Sequence, residues 1–241
     1  MVVRHMTILL ISALAYCASI GTASAATFGA GDFVTYSQDD WGGDPTSNPA
    51  AQMLQARFDG LYGGIVEVGI PLNNGWSVIF TSHLAVLNYL PSSGPPGPLT
   101  ADLVDPTSTS SGLLGAYVLA LQLNADFNDA GFLHGTNAVL FGDLILTQLP
   151  FAPGFNGYTV RHFLGEANRI LGGGAFTGTT YDDVAALTED VGNAFHAGLP
   201  SAFAQDHLQL PAAGTVPEPA TWMLVLLGLM AISLARAKRF A

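Results

Sequence analysis

The chain has 241 residues, 49% hydrophobic and 10% charged, with seven Lys and Arg against eighteen Asp and Glu and a formal net charge of −11. Soluble domains ordinarily carry about 25% charged residues, so this acidic, charge-poor balance excludes a basic nucleic-acid binder and a highly charged disordered tail. The 28 Gly and 14 Pro fall short of a collagen-like or low-complexity chain, and the single Cys17 excludes a disulfide scaffold.

The first predicted element is a secretory signal over residues 1–25. Arg4 and His5 form its basic start, Thr7 to Ala18 its apolar stretch, and Ala23-Ser24-Ala25 an A-x-A site cut between Ala25 and Ala26. A lipid-modified Cys17 would need a small residue before it, and Tyr16 stands there, so the cysteine leaves with the signal. Export then involves a Sec-type machinery and a signal peptidase. The alternative is a buried N-terminal helix.

Residues 26–213 are expected to form one acidic, exported α+β domain of short strands and several amphipathic helices, with a helical second half. It holds three basic residues, Arg57, Arg161 and Arg169, against seventeen acidic ones. Such a surface repels nucleic acid and anionic lipid but tolerates divalent cations and neutral glycans. Thr27 to Ser37 reads as a strand from its aromatic and β-branched residues, and Gln38 to Asn48 as a polar turn region. Asn48-Pro49 opens a helix striped by Met53, Leu54 and Phe58. Ile65 to Ile70 and Trp76 to Thr81 form a hairpin about Asn73-Asn74-Gly75. Ser82 caps a short helix reaching Leu90, and Pro91 to Pro98 is the one plausible hinge.

In the second half, Leu113, Leu114, Tyr117 and Leu121 predict a helix from Ser111 to about Phe127. Asp143 to Leu149 reads as a strand. Thr159 caps a helix faced by Val160, Phe163, Leu164, Ala167 and Ile170 and stopped by Gly172-Gly173-Gly174. Thr180 caps another, striped by Val184, Leu187, Val191 and Phe195 and ended by Gly198, and a short helix follows from Ser201 to Leu208.

Few residues in this domain carry recognisable chemistry. Asn124, Asp126, Asn128 and Asp129 place four oxygen-bearing side chains within six residues, a set that can ligate Ca²⁺, but Gly at the sixth and Glu at the twelfth position of an EF-hand loop are missing. The competing reading is a helix end running into Gly131. Asp39, Asp40 and Asp44 can serve a metal or a sugar, or form a solvated acidic loop, and Asp102 and Asp105 read as turn caps. G-x-S-x-G, S-x-x-K and H-E-x-x-H are absent from the sequence. His83, His134, His162, His196 and His207 share no ligand spacing; His162 and Glu166, at i and i+4 on one helical face, form either a site or, with Arg161 and Arg169 flanking them, a surface ion-pair network. Trp41 and Trp76 are either core residues or a glycan-stacking platform. No catalytic residue, metal or cofactor is assigned.

Residues 214–241 form the last element. Pro217, Glu218 and Pro219 precede an apolar stretch, Ala220 to Ala235, and a basic cluster of Arg236, Lys238 and Arg239. Those sixteen residues reach about 24 Å as a helix against a hydrocarbon core of about 30 Å, a single short transmembrane helix that spans by thinning the bilayer. The basic cluster holds the C-terminus on the cytoplasmic side, and Trp222 falls near the outer interface.

This order of parts resembles the PEP-CTERM sorting signal of Gram-negative bacteria. The resemblance implies processing near Pro217-Glu218-Pro219 by an exosortase, a membrane-embedded transpeptidase-like enzyme, in hosts that typically make exopolysaccharide. It implies passage through the inner membrane to the envelope surface or extracellular matrix. With no nucleophile motif in the sequence, a structural or interaction role is expected rather than an enzymatic one. The alternatives are a secreted glycan-acting hydrolase and an uncleaved single-pass inner-membrane protein facing the periplasm.

Overall fold

In the computed structural model of the chain, the described residues are 27–70, 75–133 and 135–211. The signal segment with its cut at Ala25 and Ala26, the hairpin turn, His134, Pro217-Glu218-Pro219, the sorting helix and the basic cluster lie outside them. No helix among the described residues is long and apolar enough to cross a membrane.

Short polar side chains set most helix starts. Asn48 accepts from the backbone of Ala50 at the start of helix α2, Pro49–Tyr62, and Ser82 from Ala85 at the start of α3, His83–Tyr89. Thr159, Thr180 and Ser201 do the same for α5 (Val160–Leu171), α6 (Tyr181–Gly192) and α7 (Ala202–His207). Each cap occupies a backbone N–H that has no partner within its helix. A further capping box, Ser37 with Asp40, starts the single turn α1, Gln38–Trp41, inside the stretch read from sequence as turns. It swings Trp41 into complete burial.

The strands are fewer and shorter than the sequence suggests. Strands β1 (Val66–Gly69) and β2 (Ser77–Phe80) pair antiparallel, Val66 opposite Phe80 and Val68 opposite Val78. The third strand, β3 (Leu103–Val104), runs parallel to β2, so α3 and the proline-rich stretch together make a crossover. That stretch is no hinge. Leu113 N donates to Gly94 O at 3.2 Å, and Leu99 N to Leu171 O at 2.8 Å with Leu99 fully buried.

Thr27 to Ser37 does not form a strand. Its backbone partners lie in the turn after α6, where Gly31 N donates to Gly198 O and Thr35 N to Phe195 O, and at residues 136–137, whose N–H groups donate to Gly31 O and Asp32 O. Phe28 and Phe33 pack on Phe195 at ring distances of 5.1 and 4.9 Å, so the β-forming side chains fill a core instead of a pleated surface. The Asp143 to Leu149 strand shrinks to β4 (Ile145–Leu146), which pairs with β5 (Leu208–Gln209). A tight turn at Phe141–Asp143 and the positive φ of Gln148 bound it. The α6 helix ends at Gly192, before Phe195, which is buried in the following turn.

Seven α-helices stand among the described residues, giving an α+β fold centred on helix α4, Leu113–Asp129. That helix packs against α6, α5, α1 and β1. It is buried on nearly every side, including Leu114, Val118, Leu121, Ala125 and Phe127, the pattern of a helix that is apolar all round. Where the hairpin meets the end of α5, a Cβ on Gly172 would lie 2.5 Å from Ile70 Cγ1 and 2.8 Å from Trp76 O. Glycine there lets Trp76 N reach Gly172 O at 2.9 Å.

Candidate functional site

The oxygen-rich run at 124–129 is helical throughout, and the helix divides it. At about 3.6 residues per turn, Asn124 and Asn128 share one face and Asp126 and Asp129 another. The first face is sealed. Asn124 Oδ1 accepts from Tyr36 N at 2.8 Å and from Trp41 Nε1 at 3.2 Å, while its Nδ2 donates to the carbonyls of Tyr36 and Gly192. Asn128 Nδ2 donates to Leu133 O and its Oδ1 accepts from Phe141 N at 2.8 Å. These two amides join the N-terminal segment, Leu133 and Phe141 to α4.

The second face borders an open cavity of about 410 Å³ lined by Leu61, Tyr62, Asp126, Asp129 and Ala130. Burial pushes the Asp126 carboxyl up against the pull of hydrogen bonds from Gln122 Nε2 at 2.7 Å and the Tyr62 hydroxyl at 3.0 Å. Burial and the neighbouring carboxylate push Tyr62 up as well. Asp129 instead pairs with Arg161, whose Nη2 reaches its Oδ1 at 2.9 Å. The four candidate Ca²⁺ ligands therefore face different partners on two sides of the helix. Among the described residues, no group of three His, Cys, Asp or Glu is placed to hold a metal ion.

Of the other acidic candidates, Asp40, Asp44, Asp102 and Asp105 each accept from a backbone N–H. Asp40 is half-buried, and burial raises its carboxyl, but donors from Ser37, His196 and Asn48 outweigh this and hold it below the ordinary value. Its Oδ2 lies 2.7 Å from His196 Nε2, which links α1 to the turn after α6. Asp44 accepts from Thr46 in a local turn. Asp102 and Asp105 are not local caps: they reach across to Ser77 N and to Thr81 N and Oγ1, closing the two ends of β2. Trp41 is core, whereas Trp76 is 44% exposed, so the two form no shared platform.

The expected network on α5 splits. Arg169 pairs with Glu166 through Nε at 2.8 Å and Nη2 at 2.7 Å, but Arg161 turns to Asp129 and Asp143, and His162 stacks on Tyr158 at 3.9 Å. The Arg169–Glu166 pair edges a cleft of about 320 Å³, bounded by the turn Pro153–Phe155, by Tyr158 and by the loop from Ala175 to Thr179. Sequence reading missed this cleft. Phe155 and Phe176 come from separate loops, and of the cleft's residues only Glu166 and Arg169 stood out in the sequence, as members of the ion-pair network on α5.

Residues 215–239 match the family model of the PEP-CTERM protein-sorting motif. The chain carries this motif at its C-terminal end, and the motif implies export and sorting by an exosortase as processing partner. No curated protein and no solved structure matches the chain.

Proposed function

We propose that the chain is a non-enzymatic, exosortase-processed protein of the cell envelope or extracellular matrix, with a structural or interaction role linked to exopolysaccharide. The sorting motif at 215–239 carries the reading. In it, residues 1–25 are removed as a signal peptide between Ala25 and Ala26. The 26–213 domain is delivered across the inner membrane. Residues 214–241 hold it there through the apolar helix and the basic stop at Arg236, Lys238 and Arg239 until the exosortase acts near Pro217-Glu218-Pro219. The domain's seventeen acidic and three basic residues suit a role that avoids anionic lipid and nucleic acid.

Mass spectrometry of the protein recovered from envelope and medium fractions tests this directly. A new C-terminus near Glu218, lost in a strain without exosortase, is the expected result. An intact Ala241 in every fraction would overturn processing in favour of an uncut inner-membrane anchor.

A further inference from the structure

We propose that the cleft between the Pro153–Phe155 turn, helix α5 and the 175–179 loop binds a neutral saccharide. The choice of ligand rests partly on the matrix reading above; the cleft stands on its own geometry. Its volume of about 320 Å³ lies at the small end of ligand sites, which run from about 300 to 1,000 Å³.

Its apolar wall is rigid. Phe155, Tyr158 and Phe176 line it, and each ring is held from behind by another: Phe155 by Phe163 at 5.1 Å, Tyr158 by His162 at 3.9 Å, Phe176 by Tyr181 at 4.9 Å. Rings fixed in this way offer area without losing side-chain entropy on binding. They suit the C–H faces of a sugar ring.

Its polar wall is equally fixed. Arg169 Nη1 donates to Ala175 O, and its Nε and Nη2 hold Glu166 Oε2. A guanidinium has five N–H donors, so this arrangement leaves two for a ligand. Among the described residues Glu166 Oε1 accepts no hydrogen bond, which places an acceptor beside them. A donor and an acceptor locked side by side match vicinal hydroxyls, each of which both donates and accepts. An anionic ligand would meet Glu166 and a domain dominated by carboxylates. A purely apolar ligand would bury the two remaining guanidinium N–H groups and Glu166 Oε1 without partners, which is unfavourable because a buried unpaired polar group loses its bonds to water. The complement left is uncharged and polyhydroxylated.

The test uses the full-length chain in detergent micelles, titrated by calorimetry with gluco-, manno-, galacto- and N-acetylglucosamine hexasaccharides, and with polygalacturonate as an anionic comparator. At least one neutral hexasaccharide should bind with millimolar affinity or better, and polygalacturonate at least tenfold more weakly. A Cβ on Gly154 meets no atom within 4 Å, so Gly154→Trp adds bulk at the cleft without a clash at its base. This variant should weaken binding at least tenfold at unchanged Tm. Glu166→Gln, which keeps the side chain's size, should weaken it several-fold and decides the matter if the tryptophan variant melts early. No binding by any neutral hexasaccharide, tighter binding of polygalacturonate, or wild-type affinity in Glu166→Gln would each overturn the proposal. Binding in this assay together with an intact Ala241 in every cell fraction would sink the sorting reading and leave the cleft standing.

Discussion

The two faces of α4 between Asn124 and Asp129 use the same kind of atom for opposite ends. On the face of Asn124 and Asn128, the side-chain amides bind backbone groups of other segments: Tyr36 N, Tyr36 O, Gly192 O, Leu133 O and Phe141 N. On the face of Asp126 and Asp129, carboxylates meet neutral side chains or an exposed arginine beside an open cavity. The first face therefore carries architecture, because an orphaned buried backbone group costs more than a typical hydrogen bond contributes. The second is bordered by solvent, which can replace what a mutation removes.

The sharpest way to break this contrast is Asn124→Ala. It strands Tyr36 N, Trp41 Nε1 and two carbonyls at a fully buried position. At about 1–3 kcal/mol for each unsatisfied group, the urea midpoint should fall by the equivalent of at least about 3 kcal/mol. A loss below about 1 kcal/mol would mean water reaches this site. Asn128→Ala removes fewer bonds and should cost about 2 kcal/mol in the same assay, mostly through Phe141 N.

Across the helix, Asp126→Asn should change neutral-pH stability by less than about 1 kcal/mol, because an amide oxygen still accepts from Tyr62 and Gln122. Its signature is in the pH profile. With the folded carboxyl raised above its ordinary 3.8, the unfolded chain releases its proton first, so this group's contribution falls as pH rises through that window and then levels off. The Asn variant should lack this decline between about pH 4 and its plateau. Asp40 has the opposite sign. Its folded carboxyl sits below 3.8, so its contribution is full above that value and is lost as pH falls through the lower one.

Asp129→Asn removes an exposed ion pair and should cost at most about 1 kcal/mol, less in high salt. The smallest expected effect concerns metal. With the four oxygen ligands split between two faces, millimolar Ca²⁺ and EDTA should leave the Tm unchanged. A rise with Ca²⁺ that Asp126→Asn abolishes would show that the second face binds a cation after all.

Much of the fold was legible because the relevant chemistry is local. Asn48, Ser82, Thr159, Thr180 and Ser201 start helices through backbone groups two or three residues away, and Gly172 ends one. The misreadings are all non-local. Thr27 to Ser37 has the composition of a strand, but its hydrogen bonds go to distant segments, among them residues 195–198, 136–137 and Asn124. Asp102 and Asp105 look like local turn caps but bind Ser77 and Thr81, at the two ends of β2 and about 25 positions away. The candidate cleft followed the same rule. Glu166 and Arg169 were visible as neighbours on a helix, whereas the aromatic wall opposite them depends on which loops the core brings together.

What the sequence determined by itself was the C-terminal sorting motif and the start of most helices. A sorting enzyme reads an extended motif, an apolar length and a charge in linear order, and a helix cap acts within one turn. What only the tertiary structure decided was the use of each polar side chain in the middle of the chain. Asn124 and Asp126 stand two residues apart in one acidic, amide-rich run. Half a turn of helix gives one to the core and the other to a solvent-lined cavity, and burial then fixes what each can do.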